Sequence, residues 1–209
     1  MRIEFKHRPL PFHKDARLAS IASMAAARQG KFWPYHDILF KNMRKLKRPD
    51  LIRYAKQLGL DVKKFTKDLN DPKLAKKVDN DDAAAQLLGA RGTPAFFVNS
   101  TFVSGAQPFP KFKAAIEAEL KKAKKLTAAG VARKDLARRL ISQGPKGKQI
   151  VRYFMDEYEA PKPNTPKPKT RKPRPPDKTV WKVKVNAEKD AIKGPKYAAV
   201  TLVEYSDFQ

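Results

Sequence analysis

Three histidines, one acidic run and one Gly-Thr-Pro loop are the groups in this sequence with the means to do chemistry. His7, His13 and His36 carry imidazoles of the kind that bind metals or move protons. They fall at a strand end, a helix start and a helix interior, with no i, i+4 spacing among them. They therefore read as surface or packed histidines and not as a metal site. The run from Asp79 to Asp82 resembles an acidic metal-binding stretch, but it lies mid-helix without an EF-hand pattern and reads as a solvated face. Trp33, Tyr35 and Phe40 read as the core of a helical block and not as a ligand cage. Gly92-Thr93-Pro94, taken alone, is a turn leading into a strand. The sequence contains no cysteine. That excludes a structural disulfide, a thiolate metal site and a thiol nucleophile, and no serine or histidine arrangement substitutes for one. Neither a metal nor an organic cofactor is expected.

The elements that must position these groups follow from periodicity and punctuation. Arg2 to His7 alternates as a short strand with Ile3 and Phe5 on one face, and Pro9 and Pro11 end it. Helices are predicted over 13–29, closed by Gly30; over 31–42, carrying Phe32, Trp33, Tyr35, Ile38, Leu39 and Phe40; and over 51–58, opened by Pro49-Asp50 and closed by Gly59. Asp61 caps a helix over 62–69, and Pro72 starts another that runs to Leu88 and stops at Gly89. Residues 95–98 and 101–103, separated by Asn99-Ser100, read as a β-hairpin, and an amphipathic helix follows over 111–126. Strand, helical block, hairpin and helix in that order make an α+β or α/β layer protein. Smaller helices are predicted over 131–143 and 150–158. Residues 160–178 contain Pro-Lys-Pro, Pro-Lys-Pro-Lys and Arg-Lys-Pro-Arg-Pro-Pro, from which no core can be built; they read as a semi-rigid, polyproline-like linker. Period-two strands resume at 180–185 and 198–205, with a Lys-Gly-Pro turn at 193–195.

At 209 residues with 41% hydrophobic content, the chain is large enough for one domain with a real core plus extras. The net charge of +25 raises nucleic acid or an anionic membrane surface as partners. No zinc-finger or RNA-recognition signature accompanies it, so nucleic acid is disfavoured and a solvated basic surface is the reading of that charge. No run of 18 apolar residues occurs, which disfavours a membrane span. The N-terminus reads as a strand and not as a basic-apolar secretion signal, so the polypeptide as written would stay where it was made.

With the elements placed, a resemblance emerges. Phe-Lys-His-Arg-Pro-Leu-Pro-Phe-His (5–13), Lys-Phe-Trp-Pro-Tyr-His-Asp-Ile-Leu-Phe (31–40), Leu-Gly-Ala-Arg-Gly-Thr-Pro-Ala-Phe-Phe-Val-Asn (88–99) and Ser-Gly-Ala-Gln-Pro-Phe (104–109) are similar to stretches of DsbA-like thioredoxin-fold proteins. Residues 1–126 resemble such a domain from the strand after its catalytic helix through its C-terminal helix, with a helical insertion over about 13–89. Residues 179–209, ending Val-Thr-Leu-Val-Glu-Tyr-Ser-Asp-Phe-Gln, resemble the opening strands of one. The resemblance implies an α/β, thioredoxin-like fold with an inserted helical domain, incomplete or permuted, its catalytic helix absent. It implies thiol–disulfide oxidoreductase chemistry by a Cys-x-x-Cys at a helix N-terminus, expected immediately after Gln209. The chain itself lacks that pair and is expected to be inactive. The resemblance further implies that Thr93-Pro94 is cis, that Gly92, Thr93 and Pro94 hold extended or unfolded protein substrates by strand addition, and that the work is done in the periplasm or otherwise outside the cytoplasm. A cysteine-free peptide-binding module or a basic nucleic-acid-binding module is the alternative.

Three arrangements fit such a chain. One is a segment of a tandem-domain protein, with 127–159 a helical connector and 160–178 the interdomain linker. Another is a circularly permuted, self-complementing domain, and the third a cysteine-free binding protein. In the family topology the strand matching 199–205 belongs between those matching 2–8 and 95–98. The C-terminal strands are therefore expected to dock in cis or into a domain-swapped partner. With no catalytic helix over one face of the sheet, an exposed apolar patch is expected there.

Overall fold

A computed structural model describes residues 1–154, 191–195 and 197–209. The linker at 160–178, the strand expected at 180–185 and the end of the helix expected to reach 158 lie outside the described residues. Strand β1, Arg2–His7, is followed by helices α1 (Ala16–Ala27), α2 (Phe32–Lys41), α3 (Arg48–Gln57), α4 (Val62–Asp68) and α5 (Pro72–Leu88). The hairpin strands β2 (Ala95–Val98) and β3 (Thr101–Ser104) come next, then α6 (Phe109–Ala128), α7 (Arg133–Ser142) and α8 (Gly147–Phe154). Strands β4 (Ala191–Lys193) and β5 (Thr201–Ser206) complete the described elements.

Local chemistry sets most boundaries. Asp61 caps α4 by accepting from the Lys64 N–H at 2.9 Å, and Asp71 caps α5 by accepting from the Lys73 N–H at 2.8 Å. Pro72 occupies the first turn of α5, and Gly89 ends it in the left-handed conformation at φ 87°. The turn between β4 and β5 is confined: Gly194 has φ 120°, and a Cβ there would lie 2.6 Å from the Met1 carbonyl oxygen. Glycine alone fits against β1 at that point.

The strands form one five-stranded mixed sheet in the order β3-β2-β5-β1-β4. β5 runs parallel to β1, with Arg2 opposite Thr201 and His7 opposite Ser206. It runs antiparallel to β2, with Ala95 opposite Tyr205 and Val98 opposite Leu202. The strand from 201–206 thus occupies the centre of the sheet, where the sequence reading placed it, and it docks in cis. β4 pairs antiparallel with β1 at the edge. The sequence reading had no strand there, because three residues are too short to show alternation.

The pleat sends Val203, Tyr205, Ala95 and Phe97 to one face, where they join Ala84, Ala85 and Leu88 of α5, Ile141 of α7, and Ile150, Val151 and Tyr153 of α8 in one cluster. Residues 127–154 therefore contribute core side chains to the sheet. On the opposite face Phe5, Glu204 and Phe96 lie side by side. There the Phe96 ring meets Phe112 of α6 edge-on at 4.9 Å, while Phe5 and Phe208 join the core of the helical block with Tyr35, Leu39, Leu51 and Phe65. Trp33 and Phe40 pack against that core. Between α6 and the block, Ile3, Leu202 and Phe96 remain half-buried.

A buried network closes the N-terminal end of β5. The Asn99 N–H donates to the Thr201 carbonyl at 2.7 Å, and the Thr201 N–H donates to Asn99 Oδ1 at 2.8 Å. Asn99 Nδ2 donates to Glu119 Oε2 of α6 at 2.9 Å. Asn99 sits in the left-handed region at φ 51°, which asparagine tolerates better than most residues.

Candidate functional site

The site lies at the other end of β5, where the strand, the loop before β2 and the exit from β1 converge. Because Ala95 pairs with Tyr205, the Gly92-Thr93-Pro94 loop runs beside the end of β5. The Thr93–Pro94 peptide is cis. The Pro94 carbonyl accepts the Gly105 N–H at 2.9 Å, which ties the loop to the end of the hairpin. Thr93 and Pro94 are half-buried and Gly92 is exposed. A Cβ on Gly92 would meet nothing within 4 Å, so the space above the loop is open.

The approach to this loop is clamped by a residue that sequence reasoning passed over. Arg8, at the end of β1, donates from Nε to the Ala90 carbonyl at 3.1 Å and from Nη2 to the Arg91 carbonyl at 3.3 Å. Its Nη1 is held by the Asp82 carboxylate. Asp81 accepts the His7 backbone N–H at 3.1 Å, and Asp79 takes Arg17 through both oxygens at 2.8 and 2.9 Å. Asp79 is exposed as the solvated-face reading expects, whereas Asp81 and Asp82 are drawn into the fold. The run straps α5 to β1 and α1, and Arg8 carries the strap onward to the backbone leading into the loop. No local signal pairs Arg8 with an acid more than seventy positions away, so the reading had no means to find it.

The histidines also gather here. His13 Nδ1 lies 2.8 Å from Asp207 Oδ2, and the same carboxylate oxygen accepts the Leu10 N–H at 2.8 Å. His7 and His36 both lie against the Phe208 ring, with ring centres 6.1 and 5.9 Å away, and each also faces Phe5. They form no metal site: among the described residues no group of three or more histidine, aspartate or glutamate side chains could hold an ion. His7 is fully buried, and neither of its ring nitrogens has a partner among the described residues. Burial pushes its pKa down to about 4, with Asp81 opposing and Lys77, Lys6 and His36 adding to the fall. Burial likewise lowers His36, against the nearby Asp37. The signal that could have found His7 is the alternation of β1, which puts it on the same buried face as Ile3 and Phe5.

One carboxyl lies under this end of the sheet. Glu204 is the acid among the apolar residues of β5, and burial raises its pKa against an opposing hydrogen bond with Ser206. The arrangement thus offers an open loop beside a strand end, a neutral buried imidazole and a carboxyl biased toward its protonated form. With no cysteine in the chain, it supplies no thiol nucleophile of its own.

A family model described as a DSBA-like thioredoxin domain matches residues 1–117. Among curated proteins, the chain is 42% identical over 111 residues to the Na(+)/H(+) antiporter NhaA of Herminiimonas arsenicoxydans, covering 53% of this chain and 18% of that protein. It is 38% identical over 117 residues to the Na(+)/H(+) antiporter NhaA 3 of Salinispora tropica, covering 56% of this chain and 18% of that protein. The chain therefore spans less than a fifth of the length of these relatives. No solved structure matches it.

Proposed function

Since this chain belongs to the DsbA-like thioredoxin-domain family, we propose that it forms the substrate-holding part of a thiol–disulfide oxidoreductase whose redox cysteines lie outside these residues. In such an enzyme a thiolate attacks a substrate disulfide, forming one S–S bond as another breaks, and a second thiol resolves the mixed disulfide. The contribution of this chain is to bind and orient. An extended, unfolded segment adds as a strand along Gly92, Thr93 and Pro94, and the Cys-x-x-Cys helix joins at the C-terminal end of β5 beside them. The observation that carries this reading is the convergence of the β5 exit with that open loop, set by the Ala95–Tyr205 register. Docking of β5 in cis supports a permuted, self-complementing domain made of residues 1–126 and 179–209, joined through 127–159 and 160–178. An exchanged strand in a domain-swapped dimer is the competing arrangement, and the mass in solution separates the two. The work is assigned outside the cytoplasm, as for the family. Matched stretches inside proteins named Na(+)/H(+) antiporters support a module that serves within larger chains.

The test is binding of an unfolded peptide with blocked cysteines, followed by fluorescence anisotropy. Binding is expected to change little with salt and to weaken at least about fivefold, roughly 1 kcal/mol, in Pro94→Ala and in Gly92→Val. Gly92→Val fills open space and should leave Tm unchanged. Binding untouched by either substitution, or binding that collapses with salt and is displaced by DNA, overturns the proposal.

A further inference from the structure

The helical block and the lobe formed by α6 to α8 carry their positive charge differently. In the block, cations meet carboxylates: Arg17 with Asp79, Arg28 with both Asp68 and Asp71, Arg53 with Asp50. From Lys111 to Arg152 the sequence has thirteen lysines and arginines against three acids. Two of those acids are committed. Glu119 is buried and bonded to Asn99 and Lys122, and Glu117 lies 3.9 Å from Lys113. The third, Asp135, lines a cavity of about 590 Å³ bounded by α7 and α8. The other walls of that cavity combine apolar Val131, Ala132 and Val151 with Arg138, Arg139 and Lys148.

We propose that the α6–α8 lobe docks on an anionic phospholipid surface and that this cavity receives one phosphate headgroup. The volume falls in the range of small-ligand sites. Cations beside an apolar lining match a phosphate carried on a glycerol and acyl stem. Each lysine or arginine close to an anionic bilayer strengthens partitioning roughly fivefold, and several together suffice for peripheral attachment. A polynucleotide fits the same charge less well. No Phe, Tyr or Trp lines the cavity or occurs from Lys113 to Arg152, and the exposed Phe109 stands alone at the start of α6. The basic faces therefore lack the row of rings that base stacking uses, and the lobe carries no base-reading motif. The inference rests on the lobe and its cavity and is independent of the redox reading.

The experiment is co-sedimentation of the full chain with vesicles of phosphatidylcholine alone and of phosphatidylcholine mixed with phosphatidylglycerol. Binding is expected to the mixed vesicles only, and to fall steeply at about 0.3 M salt. Arg139→Glu combined with Lys148→Glu should weaken it at least about twentyfold. Lys63→Glu combined with Lys64→Glu, an equal charge change on exposed residues of α4, should weaken it only slightly. Ala132→Trp, which fills the cavity without changing charge, should also weaken it. Absence of binding to mixed vesicles, equal loss in the α4 variant, binding of inorganic phosphate without vesicles, or displacement from vesicles by duplex DNA each overturns the proposal.

Discussion

At one end of β5 stands Asn99, and at the other stand three histidines. The Asn99 end is closed: its buried amide and backbone exchange hydrogen bonds with Thr201, and the amide reaches Glu119 as well. The histidine end is open. His7 is buried to the same degree with neither ring nitrogen partnered, and Asp207 divides itself between His13 and the Leu10 N–H. A buried polar group that is fully satisfied fixes the strand, whereas one left unsatisfied carries a cost that charging it increases. The Gly92-Thr93-Pro94 loop lies at the unsatisfied end.

The contrast breaks most visibly at the closed end. Asn99→Leu would strip the Thr201 N–H and Glu119 of their partner and force a branched side chain into the left-handed region. We expect a loss of about 4 kcal/mol or more in urea unfolding; a loss below about 1 kcal/mol would show that the network does not anchor β5. At the open end the probe is acid. The folded pKa of His7, about 4, lies below the ordinary imidazole value of 6.5. Protonation therefore favours the unfolded chain, and the contribution of neutral His7 is intact above about pH 6.5 and lost as pH falls toward 4. Stability should drop by about 2 kcal/mol between pH 7 and pH 5 from this group. His7→Leu should flatten that slope, and an unchanged slope would mean that another group titrates. The smallest effect belongs to Glu204. Its folded pKa is raised, so its ionised form destabilises the sheet and stability increases as pH falls through its titration. Glu204→Gln should raise Tm at pH 8 by about 2 °C and remove that dependence; a lower Tm would mean that the charge is needed.

What could be read from the sequence was whatever local chemistry writes down. Asp61 and Asp71 cap, Gly89 stops and Asn99-Ser100 turns because each acts on residues within a few positions. The alternation of β1 and β5 fixed their faces. The resemblance placed β5 between β1 and β2, and it singled out the Gly92-Thr93-Pro94 loop. What escaped were the partnerships across the fold: Arg8 with Asp82, His7 with Asp81, His13 with Asp207. Nothing in the spacing states which of the many acids will face a given cation, since that choice is made by helix packing. The acidic run read as solvated for that reason, although it straps α5 to the first strand.

The parallel pairing of β1 with β5 also sets a schedule. The two strands are separated by roughly 200 residues, and synthesis at about 5–20 residues per second takes on the order of ten seconds or more to supply the second after the first. During that interval β1 and β2 lack the strand that belongs between them, and their inner edges are exposed as templates for foreign strands. Closing so long a loop is also slow in itself. The nascent chain is thus most vulnerable in the interval before β5 emerges, and its yield should depend on chaperones that cover strand edges until β5 arrives.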